Sequence, residues 1–509
     1  MTTFDEPLEN EPVDAASSVA PPMSLVQRGL RACAVRARDA SPWAWATVAV
    51  ALIHAVMVTR LQWDIHRGLG TSAYDVGLYD QGVWLLSRFD APFVTLMGRN
   101  LLGDHASLIL IGLVPVYWIW PGTETLLAVQ AFVIAAGAIP IYLFARRTLG
   151  QPAYGFLFGL VWLLNPAVNG TNLEYFHPDS VLGLVLPLAM VAALSKKWRL
   201  YWVAVVLCLL VKEDVVLVML PLAALVALRG DRRRGVVTAV VSVGATLVGM
   251  FLLMRSLIGV PTRNTWRIPF GGPSGLLKEI LQRPTNVVKH ITSEERPVYL
   301  WKMFAPLAFT SFLAPEVAMV SALVLASNIV STFWYQFQIE YHYSIVAVPA
   351  LVFATIVGLA RLPDKRRRVL LAAVLVASVL AGRSWSYVPF RADEYPRWGR
   401  DFPVAVAAHE IIDEVPSDAV ISVYHSLAPH MAHRKEIYMF PNPFRIVLYG
   451  PDTSTEGQRN PRADFVEYVV LPISLNSEEQ ADLDALRADF EVTSSNEYWQ
   501  ILQPIDRIP

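Results

Sequence analysis

The run "WAWATVAVALIHAVMVT" (43–59), followed by "TSAYDVGLYDQGVW" (71–84), decides how the chain is read. The first run is apolar and has the length that crosses a bilayer, about 17–25 residues. The second stretch, just beyond it, holds two acids, Asp75 and Asp80, with two tyrosines and a tryptophan. Acids at the foot of a span need a reason, because ionisable groups at membrane depth are costly and usually face a cavity. Five residues of helix turn through about 140°, so a fully helical segment would not put both acids on one face. The reading that asks least makes Asp75 a helix N-cap.

Composition extends the membrane reading to most of the chain. Of 509 residues, 54% are hydrophobic and 17% charged, against about 25% charged in soluble domains. Fifteen tryptophans and 35 prolines suit a polytopic protein, where Trp lies at interfaces and Pro is tolerated within spans. A formal charge of -1 gives no case for nucleic acid. Cys33 and Cys208 lack metal-ligand spacing, and no disulfide between them is expected. Residues 1–24 are acidic and rich in Pro, Ser and Ala with no apolar core. They read as a disordered cytoplasmic tail, with a basic juxtamembrane segment completing 1–42, so the first span is expected to direct insertion.

Apolar runs recur near 43–59, 125–145, 151–165, 180–195, 199–212, 214–228, 236–257, 300–313, 315–333, 343–361 and 368–385. Basic clusters set the sides, since cytoplasmic loops carry excess Lys and Arg. Arg28, Arg31, Arg36 and Arg38 put the N-terminus inside. Eleven spans keep Arg146–Arg147, "KKWR" (196–199), "RGDRRR" (229–234) and "DKRRR" (364–368) inside as well. The stretch "SLILIGLVPVYWIW" (107–120) then reads as an interfacial or re-entrant helix, because a twelfth span would reverse those clusters. The fold expected is an all-α polytopic domain over 43–385 with outer loops 60–124 and 258–300. After 385, charges rise and helix-like and strand-like segments alternate, predicting a small extracytoplasmic α/β domain over 386–509. Within it, Ser477 and Gln480 read as a capping box.

On this topology, ionisable groups gather on the outer side. Asp104 and His105 lie in "LLGDHASL", Glu174, His177 and Asp179 in "LEYFHPDS", and Lys212, Glu213 and Asp214 in "VKEDV". Arg263 and Arg267 flank Trp266, and Glu340 and His342 begin a later span. Carboxylates and imidazoles beside cations suit two jobs: deprotonating a hydroxyl, and holding a phosphate that leaves. Each group also has a plainer reading. Asp104 and Asp179 fit as helix caps, "VKEDV" as a hairpin turn, and the tyrosines at 341–343 as an interfacial belt. No cofactor is called for, and a divalent metal, though compatible with the acids, has no ligand spacing to support it; no metal ligands are assigned.

Taken together, "YDVGLYDQGVW", "GDHASL", "LVPVYWIWPGTETLLAVQA", "NLEYFHPDS", "VKEDV", "EYHYS" and "PHMAHRKEIYMFPNP" resemble a family of predicted bacterial membrane proteins grouped with the GT-C membrane glycosyltransferases. The resemblance spans roughly 43–500. It implies transfer of a sugar from a polyprenyl-phosphate donor to a cell-envelope glycan, lipid or protein acceptor, at the outer face of the bacterial cytoplasmic membrane and in contact with its lipids. It also implies a general base in the first outer loop, matched best by Asp75, with Asp80 as the alternative or as an acceptor-orienting group. The common Asp–Glu doublet is absent, Val76 following Asp75. Lys212, Arg263, Arg267 and His342 are the expected donor-phosphate groups. Asp104, His105, Glu174, His177, Glu213 and Asp214 are the expected acceptor or supporting groups. Burial is expected to raise the Asp75 pKa. Rival readings are a flippase or transporter of lipid-linked sugars and a non-catalytic envelope-assembly protein.

Overall fold

The computed structural model describes residues 41–258, 264–447 and 454–505. The N-terminal tail, its basic segment with Cys33, and Arg263 lie outside the described residues. Among the described residues, five helices are long and apolar enough to cross a membrane: Pro42–Arg67, Thr123–Leu149, Arg232–Ile258, His342–Ala360 and Asp364–Trp385. The first shows why they form. Ser41 caps it by accepting from the Ala44 N–H, Pro42 occupies the first turn, and His66 and Arg67 sit in the last turn, where positive charge suits the helix dipole. Its 26 residues extend about 39 Å at 1.5 Å per residue.

The other expected spans are helical but shorter or broken. Pro152–Leu164, Pro178–Leu194, Trp198–Leu209 and Pro315–Val330 are apolar helices below spanning length. The run at 300–313 breaks after Phe304, where Ala308 and Phe309 adopt positive φ. The stretch 107–120 forms the short helix Leu108–Tyr117. The described residues are thus mostly helical with five long apolar helices, and the finer expectation of eleven spans exceeds what these lengths establish.

Position in the bundle follows from which faces are apolar. His342–Ala360 is central, with 83% of its apolar window buried, whereas Arg232–Ile258 is peripheral at 17%. The peripheral helix exposes Val236, Val240, Phe251 and Leu252, a surface suited to lipid tails. Trp162, Tyr201 and Phe353 anchor the bundle core.

Beyond Trp385 the helix Pro403–Asp413 leads into a five-stranded sheet. Two short strands in the first loop, β1 (Phe93–Val94) and β2 (Arg99–Asn100), precede the sheet strands β3 (Ile421–Val423), β4 (Ile437–Met439), β5 (Tyr468–Pro472), β6 (Phe490–Ser495) and β7 (Trp499–Pro504). The order is β4-β3-β5-β7-β6, with β3 parallel to β4 and β5, and β7 antiparallel to β5 and β6. Helix Ser477–Leu486 packs nearby, but its capping box is Asn476 with Glu479, not Ser477 with Gln480. The sequence expectation was one residue late because Ser477 is already the first helical residue.

The sheet is fused to the first loop. Leu69, Val76, Val83 and Leu101 of the loop share one core with Ile421, Val423, Leu427 and Trp499. Gln81 Nε2 donates to Thr95 Oγ1 at 2.9 Å and to the Arg434 carbonyl at 3.1 Å. Thr95 Oγ1 in turn donates to the Ile437 carbonyl at 2.6 Å. This seam ties the acidic stretch 71–84 to the sheet domain.

Candidate active site

Where the first loop meets the bundle there is a cavity of about 880 Å³, and its walls collect most of the expected site residues. Asp75, Asp104, His105, Glu174, His177, Lys212, Arg267 and His342 all line it. Glu213 and Asp214 stand behind the wall, one bonded to His105 and the other paired with Lys212.

Asp75 is not a helix cap. The following helix, Leu78–Ser87, has Gly77 at its N-cap and no side-chain cap bond. Asp75 adopts φ 65° and ψ −97°, a conformation that costs a non-glycine residue about 1–3 kcal/mol. Its neighbours hold it there: the Ala73 N–H donates to the His425 carbonyl at 2.8 Å, and Ala73 and Val76 are buried on either side. The Asp75 side chain remains 43% exposed, with Oδ1 3.3 Å from His177 Nε2. Burial pushes its carboxyl up, but His177, with His342 and Lys212 behind it, outweighs burial and holds the pKa below the usual carboxylate range. The expected rise is therefore reversed, because the sequence could not reveal an imidazole brought in from a hundred residues away.

Asp80 points elsewhere. Its carboxylate accepts from Tyr117 Oη at 2.8 Å and Thr123 Oγ1 at 2.9 Å, and lies 3.0 Å from His433 Nε2. It is 2% exposed and faces a separate, smaller pocket at the seam with the sheet. The two acids diverge as their spacing suggests, and Asp80 does not line the Asp75 cavity.

The other two cap readings fail for one physical reason: each acid finds a cation. Asp104 pairs with Arg99 at 2.7 Å. Asp179 lies 3.6 Å from Lys212 Nζ, with Asp214 at 3.8 Å. Lys212 is thus flanked by two carboxylates and carries little net positive charge toward the cavity. His105 Nδ1 lies 2.8 Å from Glu213 Oε1, while the Ala106 N–H donates to Glu213 Oε2 at 3.0 Å. Burial pushes the Glu213 carboxyl up, but the His105 ring pulls it down to about 2. Burial pulls His105 down, and Glu213 and Asp104 raise it overall.

At the deep end, Glu174 follows the helix Pro166–Leu173 and accepts from the His342 backbone N–H. His342 Nδ1 lies 3.1 Å from both Glu174 oxygens, and its ring stacks on His177 at 3.8 Å and 19°. Burial, reinforced by Asp75, pushes Glu174 up to about 8. Burial opposes, yet Glu174 and Asp75 together raise His177 to about 9.

Another part of the lining is aromatic and cationic. Arg267 lies over Phe333 at 4.0 Å and reaches Tyr343 Oη at 3.2 Å. Its Nε is buried without a hydrogen-bond partner, and no carboxylate among the described residues lies within ion-pairing distance. Trp266, Tyr335, Tyr341, Tyr387 and Tyr395 extend this wall. Sequence reasoning missed Arg99, Lys302 and Arg391, which also line the cavity. Arg99 had a faint signal, a base near the "GDH" acid; the other two are ordinary loop and helix charges until the chain folds.

The family described as "Predicted membrane protein (DUF2079)" matches residues 65–504. Among solved structures, the fold is similar to that of ArnT from Cupriavidus metallidurans in the apo state. The TM-score is 0.57 at 14% identity, covering 90% of this chain and 97% of that one. No curated protein matches the chain.

Proposed function

From membership of the DUF2079 family of predicted membrane proteins, an ArnT-like fold and this cavity, we propose that the chain is a GT-C membrane glycosyltransferase using a polyprenyl-phosphate sugar. The observation that carries the reading is a charge-divided cavity: the partly exposed carboxylate of Asp75 on one wall and the carboxylate-free guanidinium of Arg267 on another.

Asp75 accepts the proton of an acceptor hydroxyl as that oxygen bonds to the anomeric carbon of the donor sugar. The bond from that carbon to the phosphate oxygen breaks, and the phosphate departs with the electron pair toward Arg267. A forked guanidinium suits a phosphate better than an ammonium does. With one carboxylate acting, displacement is in line and inverts the anomeric centre, by analogy with glycoside chemistry. His177 holds Asp75 ionised and oriented, so it is a positioning residue. The aromatic wall offers faces for sugar and isoprenoid. Lys212, matched by Asp179 and Asp214, takes a structural part, and Arg267 inherits the donor-phosphate role.

We place the cavity and the sheet domain on the outer face of the bacterial cytoplasmic membrane, with a cell-envelope molecule as acceptor. Purified protein given radiolabelled polyprenyl-phosphate sugars and envelope extract should yield a labelled product. Movement of intact lipid-linked sugar across vesicles, with no transfer, would favour the flippase reading instead.

A further inference from the structure

We propose that His66, His409 and His430, where the first loop meets the sheet domain, form an acid-sensitive latch on the turn that carries Asp75. His66 lies in the last turn of the first long helix, His409 on the helix Pro403–Asp413, and His430 at the end of the short helical turn Ala428–His430. The His66 and His430 rings stack at 4.0 Å and 10°, and the His409 ring meets His430 edge-on at 5.1 Å. Neutral rings pack well in such an arrangement, whereas two imidazoliums at that distance repel. His66 Nδ1 lies 2.8 Å from Thr71 Oγ1, and His409 Nε2 donates to the Arg67 carbonyl at 2.9 Å. His430 Nε2 is buried with no hydrogen-bond partner among the described residues. A proton added there would be a buried charge without an acceptor, which is costly.

The surrounding charges do not balance protonation of the stack. Glu124 is taken by Arg67 at 2.7 Å. Asp80, facing His66 from the helix Leu78–Ser87, is already shared among Tyr117, Thr123 and His433. Arg434 adds a further cation to the same pocket. Burial first, then His66 and His409, hold the His430 ring well below the usual histidine range. His66 and His430 both line the seam pocket of about 330 Å³, which gives protons a way in. The Asp75 turn leans on the same segment. Gly77 packs on Pro429, whose Cγ lies 3.5 Å from where a Cβ on that glycine would stand. The Ala73 N–H is held by the His425 carbonyl at 2.8 Å. With the seam closed His430 stays neutral, and with it open the ring titrates near its ordinary value of about 6.5. Closure is therefore at full strength above about 6.5. It weakens about tenfold per pH unit below that for each ring that charges only on opening. The latch stands independently of the glycosyl-transfer reading.

The test is hydrogen exchange read by mass spectrometry on the full-length protein in detergent, with rates corrected for intrinsic chemical exchange. It compares about pH 7.5 with about pH 5, either side of the ordinary histidine value. Peptides covering 71–77 and 425–434 should exchange about tenfold faster or more at the lower pH and recover on return to the higher one. The helix Ser477–Leu486 of the same sheet domain should not change. His430→Phe, which keeps a ring against His66 but takes no proton, should lose the response. His433→Gln, outside that stack, should keep it. Equal exchange at the two pH values in wild-type protein would overturn the proposal, as would an irreversible change, an undiminished response in His430→Phe, or its loss in His433→Gln. Should His430→Phe not fold, His409→Gln decides: it retains a donor for the Arg67 carbonyl and removes one charge facing His430. A smaller response than wild type is expected there, and an equal one would overturn the latch.

Discussion

Replacing Asp75 separates its chemistry from its backbone. Asp75→Asn keeps the side-chain shape but removes the proton acceptor. A positioned base contributes about 10²–10⁴-fold, or about 3–5 kcal/mol at 1.36 kcal/mol per decade. Because His177 holds this carboxyl below the usual range, its basicity is modest and the lower half of that span applies, about 10²–10³-fold in kcat. Asp75→Gly removes the base and also relieves the positive φ of 65°. Relative to Asp75→Asn, which loses the same charge pair with His177, the strain of about 1–3 kcal/mol, less about 0.5–1 kcal/mol for the added freedom of glycine, predicts equal or higher stability. The assay is transfer of radiolabelled sugar by purified variants, run beside thermal unfolding of the same samples. Transfer within threefold of wild type in Asp75→Asn would refute the base assignment. Stability of Asp75→Gly clearly below that of Asp75→Asn would refute the strain argument.

Three other outcomes follow from the geometry. The His105–Glu213 pair should make stability depend on pH at both ends. Glu213, lowered to about 2, contributes fully above its usual 4.5 and loses that contribution as pH falls toward 2. His105, raised above 6.5, contributes fully below 6.5 and loses it as pH rises through its folded value. The contribution is therefore greatest between about 4.5 and 6.5, and thermal unfolding across pH should show His105→Gln flattening the alkaline arm. Asp80→Asn should destabilise the seam by about 1–3 kcal/mol, since one of its buried donors is left unmatched; limited proteolysis near 386–402 reads this, and transfer per folded molecule should persist. Gly170→Ala would place its Cβ 2.5 Å from the Ile339 carbonyl oxygen and 2.6 Å from Glu340 Cα. Such overpacking costs about 1–3 kcal/mol and parts Glu174 from His342, whereas Gly244→Ala, with nothing within 4 Å, should be neutral or mildly stabilising by the same measurement.

Apolar runs and basic clusters made the helical bundle legible, because burial in lipid leaves a signal many residues long. The regions expected as spans are helical, and the composition change after 385 coincides with the helix end at Trp385. Helix length was less legible: the run at 300–313 is broken after Phe304, where Ala308 and Phe309 adopt positive φ. Most site residues were named because charge at membrane depth is rare. Their partnerships were not, since Asp75–His177 and Glu174–His342 depend on tertiary proximity. The same blindness gave the wrong direction for the Asp75 pKa, and left open which acids stand beside Lys212, namely Asp179 and Asp214. Asp80 shares the quoted stretch with Asp75, but its ties to Tyr117, Thr123 and His433 are contacts only the fold makes.

The most direct test of the central claim is a structure of the protein with polyprenyl phosphate bound. The account predicts the phosphate in the cavity against Arg267, with Asp75 across from it and the isoprenoid leaving along the aromatic wall. A lipid lying wholly on the outer surface of the bundle, with Arg267 untouched, would contradict it.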